Sequence, residues 1–166
     1  MIKVALRASS KKALVMHYPF EGRSPQCSKN GQACKPVGRR TLESLLKPEA
    51  KSALIQQPYY FCDAADCDVV YISALADHLI MKDHLKVRVG IKESEDPIPL
   101  CYCFNYDRKA IVDDVKEKGK TDIPKIISVH VKAGECRCEE TNPSGRCCLG
   151  TIHQVVKTAM NEIKNG

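Results

Sequence analysis

The chain has 166 residues, of which 43% are apolar and 28% are charged, and its formal net charge is +6. This globular composition suits one ordinary domain or two small ones, each with a modest core, because Trp is absent and aromatic residues make up only 5%. It excludes a membrane-spanning protein, since no apolar stretch approaches the required length. The ten cysteines are too sparse for a disulfide-stapled secreted scaffold.

The cysteines favour metal binding over disulfides. No sustained apolar stretch lies near the N-terminal Met, so we expect a cytoplasmic protein without a signal peptide or membrane insertion. Thiols stay reduced in the cytoplasm, where a cysteine-rich sequence more often binds metal, although disulfides remain the alternative. The positive charge suits an acidic partner or nucleic acid, but metal-bound thiolates would offset it. No basic stripe interleaved with aromatic residues accompanies it, so nucleic acid is not the expected partner.

The first half of the chain predicts a small sheet with short helices. Its candidate strands carry alternating or β-branched apolar residues, and its candidate helices are short segments flanked by proline. The predicted strands are Ile2–Leu6, Ala13–Tyr18, the two apolar runs on either side of the cysteines within 59–72, and Leu85–Lys92; the predicted helices are Thr41–Lys47 and Glu49–Gln57.

Two cysteine pairs lie in turns of this first half, and we call these four residues the N-terminal thiol group. Cys62 and Cys67 stand between two predicted strands, and such a turn can place two Sγ atoms at two corners of a tetrahedron. Cys27 and Cys34 bracket a second, polar turn. The four thiols predict a structural zinc site. Two unrelated pairs of buried cysteines would look the same in sequence and are the alternative.

After an acidic, proline-containing connector at 93–99, the apolar period becomes helical. The change predicts a zinc-binding, β-rich domain at 1–97 and a helical domain at 98–166, and so an α+β fold class. Asp107 is a good N-cap and Gly119 a good stop for the first helix of the second domain. The predicted helices of this domain span 108–118, 122–132 and 149–163.

Six further cysteines, the C-terminal thiol group, lie just before the first of these helices, just after the second and at the start of the third. They are Cys101, Cys103, Cys136, Cys138, Cys147 and Cys148. Helix N-termini present free N–H groups and partial positive charge, which suit an anionic cluster. A C-x-C pair does not easily share one tetrahedral ion with a second such pair, but it can place two thiolates on one iron of a 2Fe-2S cluster. We therefore predict such a cluster, with a second zinc ion as the alternative.

Four segments carry a family resemblance: Tyr60–Tyr71 with its two cysteines, Val87–Glu93, Cys101-Tyr-Cys103, and the run Thr-Asn-Pro-Ser-Gly-Arg-Cys-Cys at 141–148. They resemble the N-terminal half of the archaeal copper chaperone CopZ family. The last portion is also similar to BFD-like ferredoxin domains, in which a C-x-C and a later cysteine pair hold a 2Fe-2S cluster between short helices. The resemblance implies a small zinc-binding β-sheet domain followed by a short-helix 2Fe-2S domain.

The resemblance implies an N-terminal zinc site, for which the two turns offer Cys27, Cys34, Cys62 and Cys67. Carried over by motif, the 2Fe-2S ligands would be Cys101, Cys103, Cys138 and Cys148. Cys136 and Cys147 are then spare, and either could replace an assigned cluster ligand.

The function implied by the resemblance is one-electron transfer linked to copper homeostasis, through Cu(II) reduction or a role like that of a copper chaperone. The expected partner is a redox protein or a copper-handling protein. The family's copper-binding domain has a Met-x-Cys-x-x-Cys loop, and no C-x-x-C occurs here, so we expect no copper transfer through such a loop. The alternative is a structural or redox-sensing regulatory metalloprotein that binds nucleic acid or protein. No His, Asp and Glu constellation accompanies the thiols, which favours a non-enzymatic role over hydrolysis.

Overall fold

The structure is a computed structural model that describes residues 24–165. Its first part is a four-stranded antiparallel sheet in which the strands lie side by side in chain order. The predicted strands at Ile2–Leu6 and Ala13–Tyr18 lie outside the described residues. The strands of the sheet are β1 Lys35–Val37, β2 Tyr59–Phe61, β3 Val69–Ser73 and β4 Leu79–Met81, and two helices, α1 Arg39–Leu45 and α2 Pro48–Ser52, connect β1 to β2.

Strand β3 is buried along its whole length and packs into two different apolar clusters. Its register with β4 shifts between Val69 and Tyr71, which breaks the strict alternation of a regular strand. Val70 and Tyr71 lie in the larger core with α1. Val69 and Ile72 instead pack with the four cysteines of the N-terminal thiol group. The sheet therefore supports the main core and the thiols at once.

The predicted strand Leu85–Lys92 is wrong. The fourth strand of the sheet is β4, and the segment after it contains two one-turn 3-10 helices, Lys82–His84 and Gly90–Lys92. Leu85 pairs with Leu46 through an isolated bridge, and the side chains of Leu85 and Val89 both pack into the core. Apolar and polar residues alternate in this segment because individual side chains of an irregular backbone pack into the core.

The second part of the described chain contains a short hairpin and four helices. Asp107 caps α3 by accepting a 2.8 Å hydrogen bond from the Ala110 N–H, and Gly119 ends it with a φ of 67°. The three long helices confirm the sequence-based expectation, whereas the hairpin and the short α5 were not predicted. The elements are β5 Pro99–Cys101, β6 Tyr106–Asp107, α3 Arg108–Lys118, α4 Ile123–Lys132, α5 Cys138–Thr141 and α6 Leu149–Asn165.

Helix α1 of the first part packs against α5 of the second. The Thr41 hydroxyl donates a 2.7 Å hydrogen bond to the Glu139 carbonyl, and the Tyr71 hydroxyl donates one of 2.7 Å to the Pro143 carbonyl. The first bond joins α1 to α5, and the second holds the turn that precedes Cys147 against the sheet. Each part nevertheless has an apolar cluster of its own. The α+β fold class is confirmed, and the domain division at residue 97 stays a prediction. None of the described helices is long and apolar enough to cross a membrane.

Candidate metal centres

The first turn of the N-terminal thiol group is closed by backbone hydrogen bonds. The Cys27 N–H donates to the Gln32 carbonyl and the Gly31 N–H donates to the Cys27 carbonyl, both at 2.8 Å. Gly31 has a φ of 72°, a conformation that glycine adopts without strain. The Cys34 N–H donates to the Pro25 carbonyl at 2.9 Å. The turn therefore fixes Cys27 and Cys34 at its two ends.

The second turn connects β2 to β3 and carries Cys62 and Cys67. The Cys62 N–H donates a 2.9 Å hydrogen bond to the Val70 carbonyl, which continues the antiparallel pairing of the two strands up to the turn. The two cysteines pack with those of the first turn in one small apolar cluster that also contains Ala64 and Val69. Two sequence-distant turns thus converge on one place.

The four predicted zinc ligands lie together and are all buried. The Sγ atoms of Cys27, Cys62 and Cys67 all lie within 4.8 Å of one another, and the Cys27–Cys67 pair is 3.9 Å apart. The sulfurs of a tetrahedral site with Zn–S bonds of about 2.3 Å are about 3.8 Å apart. Cys34 belongs to the same buried cluster, although its Sγ is not among the three that lie within 4.8 Å of one another. Burial, together with the charges of Cys62 and Cys27, raises the pKa of Cys34 to about 12. The donor set fits one tetrahedral zinc ion.

The surroundings of Cys62 favour its thiolate form. Burial raises its pKa, but hydrogen bonds from the Ala64 N–H and the Asn30 side chain, with the charge of Lys92, outweigh burial and lower the pKa. The Asn30 Nδ2 donates to the Cys62 Sγ at 3.4 Å. Burial raises the pKa of Cys67 instead. These contacts favour the thiolate, which is the form that binds metal, at Cys62.

The hairpin and the helix ends position the C-terminal thiol group. Cys101 ends β5 and Cys103 lies in the turn that follows. Cys138 begins α5, and Cys148 directly precedes α6. Burial differs among the six: Cys101, Cys138 and Cys148 are buried, Cys103 and Cys136 are half-buried, and Cys147 is exposed.

These thiols form two subgroups. The Cys103 Sγ lies 3.8 Å from the Cys138 Sγ and 3.9 Å from the Cys136 Sγ, and the last two sulfurs are 3.0 Å apart. Cys101 and Cys148 lie together in one buried apolar cluster. The interaction between the two thiols lowers the pKa of Cys101 to about 6, and the same interaction and burial raise the pKa of Cys148. Cys103 packs against the apolar cluster that contains Cys101 and Cys148, so the two subgroups adjoin. The negative charge of Cys138 also raises the pKa of Cys148.

The structure therefore brings the four predicted cluster ligands together, as two thiols in each of two neighbouring subgroups. Two thiolates at each of two irons is the coordination of a 2Fe-2S cluster, so the donor chemistry fits one. Cys136 lies as close to Cys103 as Cys138 does, whereas Cys147 is exposed. Cys103 has two further polar neighbours, the Arg137 N–H, which donates to its Sγ at 3.3 Å, and the Thr141 hydroxyl oxygen at 3.1 Å.

The sequence-based reasoning missed three residues that contact the thiols or their turns: Asn30, Lys92 and Thr141. Asn30 lies inside the first cysteine turn, which is a signal that could have been used. Lys92 is distant in sequence from the cysteines that it approaches, and Thr141 belongs to the motif at 141–148 without a role of its own. Only the fold reveals these contacts.

Comparison with known proteins gives consistent matches. A family described as a zinc binding domain of CopZ matches residues 24–86. The copper chaperone CopZ of Archaeoglobus fulgidus is 36% identical over 129 residues, which make up 76% of this chain and 57% of the relative. The chain thus aligns with little more than half of that relative's length. The crystal structure of the N-terminal domain of the same chaperone superposes with a TM-score of 0.66 at 30% identity, covering 79% of this chain and 97% of that domain.

Proposed function

Because this chain belongs to the family of the CopZ N-terminal domain, we propose that it carries single electrons through a 2Fe-2S cluster, is stabilised by a zinc ion, and serves copper homeostasis. It is a CopZ-like metal-binding protein with a zinc-binding domain in its first part. The observation that carries the finer proposal is the grouping of thiols in the second part: Cys103 lies with Cys136 and Cys138, and it packs against the apolar cluster that contains Cys101 and Cys148.

The zinc site would have a structural role. Its ligands would be Cys27, Cys34, Cys62 and Cys67, which are buried and come from two turns. Four cysteine ligands leave no open coordination position for water, so this site would not perform hydrolysis. The ion would instead connect the turn at 27–34 to the β2–β3 turn, and so close one end of the sheet.

The second site would hold the electron carrier. Cys101 and Cys148 would form one ligand pair and Cys103 and Cys138 the other. When bound, a 2Fe-2S cluster supplies a reversible one-electron couple. The hydrogen bond from the Arg137 N–H to the Cys103 Sγ would stabilise negative charge at that sulfur and raise the reduction potential.

Copper is the proposed destination of the electron. One electron taken from a redox protein partner and passed to one Cu(II) ion gives one Cu(I) ion, the form that soft thiolate and thioether ligands select. A copper-handling protein would then receive the Cu(I). The name of the relative supplies this link to copper, and the thiol geometry supplies the redox site. We propose that these steps take place in the cytoplasm, without nucleic acid as a partner.

Metal and sulfide analysis tests the proposal directly. We expect protein purified without oxygen to contain about two irons and two acid-labile sulfides per chain, as a 2Fe-2S cluster requires, with about one zinc. Voltammetry should then show a reversible one-electron couple. Zinc without sulfide would retire electron transfer and favour a structural or regulatory metalloprotein. A cluster that degrades on reduction instead of cycling would do the same.

A further inference from the structure

Lys92 is a buried charged residue beside the N-terminal thiol group, and the ligand assignment gives it no role. Only 6% of its surface is exposed. Its Nζ donates a 2.7 Å hydrogen bond to the Ala64 carbonyl and a 2.9 Å hydrogen bond to the Cys67 carbonyl, and both bonds are buried. Both acceptors belong to the turn between Cys62 and Cys67, so one ammonium group holds two points of the ligand-bearing turn.

Within the described part of the chain, Lys92 forms no ion pair with an Asp or Glu side chain. Burying an ammonium without an opposite charge is strongly unfavourable, so its charge needs another partner. The thiols provide one, because the hydrogen bonds to the Ala64 and Cys67 carbonyls hold the Nζ at the turn that carries Cys62 and Cys67. A zinc ion with four thiolates carries a net charge of about −2, which a single buried cation would partly offset.

Lys92 reaches this turn from outside the zinc-binding segment at 24–86. It ends the 3-10 helix Gly90–Lys92, which is anchored against the hairpin of the second part. The Gly90 N–H donates a 2.8 Å hydrogen bond to the Tyr102 hydroxyl, and a Cβ at position 90 would lie 2.0 Å from the Pro99 carbonyl oxygen. Glycine is therefore required for this close approach, and the approach fixes the backbone from which Lys92 extends.

We propose that Lys92 is a positioning residue of the zinc site: its ammonium holds the Cys62–Cys67 turn in the ligand-bearing conformation and offsets part of the negative charge of the tetrathiolate. The inference rests on the zinc half of the proposed function and is independent of the 2Fe-2S half. It also assigns a residue outside the matched zinc-binding segment to that segment's metal site.

Zinc affinity, measured by competition with a chromophoric chelator, tests the inference on the full chain. The Lys92→Met variant keeps the length of the side chain and removes its charge and donors. We expect it to bind zinc about tenfold to a hundredfold more weakly, the usual loss when a residue that supports a metal ligand is replaced. Lys92→Arg keeps the charge and donors and should recover most of the affinity.

The matched control is Lys86→Met. Lys86 also donates to a backbone carbonyl, that of Ser44 at 3.0 Å, but it is exposed and belongs to no thiol group. Its replacement should leave zinc affinity unchanged. Saturating Co(II) provides a spectroscopic readout: Lys92→Met should retain tetrahedral thiolate absorption, with bands shifted from those of the wild type.

Three results would overturn the inference. Lys92→Met could bind zinc as tightly as the wild type. Lys92→Arg could bind zinc as weakly as Lys92→Met, which would make the shape of the side chain, and not its charge, the cause of the lost affinity. A Lys92→Met chain that stays unfolded in saturating zinc would assign Lys92 to the fold and not to the site. A wild-type chain that binds no zinc would instead remove the proposed zinc site itself, so the two failures are distinguishable.

Discussion

The two thiol groups of this protein differ in how closely the number of cysteines matches the number of ligand positions. The N-terminal thiol group has four cysteines, and all four are buried. The C-terminal group has six, with burial that ranges from Cys101 at 1% exposed to the exposed Cys147. A closed set of four leaves one choice of ligands. In a larger set, distance and burial must identify the ligands. The Cys136–Cys138 pair shows that distance alone does not identify them.

The largest expected effect follows from removing one thiol of the N-terminal thiol group. Cys62→Ser should remove zinc and unfold the first part of the chain, because a structural zinc ion contributes about 10 kcal/mol or more, which is comparable to the whole stability of a small domain. Zinc analysis and circular dichroism measure the result. A variant with full zinc content and an unchanged unfolding midpoint would show that the four thiols are merely buried cysteines.

The next effect concerns the C-terminal group. Cys101→Ser should abolish the visible thiolate-to-iron absorption, because Cys101 is buried and its partner Cys148 would lose the second thiol of its pair. Cys147→Ser is the matched control, and it should keep full absorption because Cys147 is exposed and is not a proposed ligand. Equal loss in both variants would mean that burial does not select the ligands of this group.

A smaller effect separates Cys138 from Cys136. Both Sγ atoms lie within 4 Å of the Cys103 Sγ, but Cys138 is buried at the start of α5 and Cys136 is half-buried. We expect Cys136→Ser to keep the iron content of the wild type. Cys138→Ser should retain part of it with a shifted spectrum, since Cys136 can move into the vacated position. The double variant should contain no cluster. The reverse order of the single variants would make Cys136 the ligand.

The parts that the sequence predicts well have local causes. Helix α3 begins at Asp107 and ends at Gly119, and both signals act within one turn of the backbone they terminate. The cysteine turn at 62–67 is likewise flanked by the strands that close it. The segment at 85–92 failed because alternation records which side chains are buried, not whether the backbone pairs with a neighbouring strand.

The pairing inside the C-terminal group depends on contacts that no local pattern contains. From the sequence, Cys101 and Cys103 form a natural pair because they are two residues apart. The hairpin places them in different subgroups, and Cys101 pairs with Cys148 from the start of α6. The buried position of Lys92 also depends on contacts distant in sequence, since its hydrogen-bond partners precede it by 25 and 28 residues. Tertiary packing determines both.

The smallest expected effect tests whether the two thiol groups are independent. The Tyr102 hydroxyl accepts from the Gly90 N–H and donates to the Arg88 carbonyl, both at 2.8 Å, and so connects the segment leading to Lys92 with the turn between Cys101 and Cys103. Tyr102→Phe leaves both backbone groups without this partner and should lower the free energy of unfolding by about 1–3 kcal/mol. Denaturant titration measures that loss.

The metal content of the Tyr102→Phe variant should show whether the hydroxyl only supports the backbone or is also needed for metal binding. The hydroxyl contacts no thiol, so zinc and iron content in native buffer should equal those of the wild type. Loss of zinc alone would mean that the Gly90–Lys92 helix must be held for Lys92 to reach its turn. Loss of iron alone would mean that the hairpin depends on the first part for its shape. Either result would replace two independent sites with one site that supports the other.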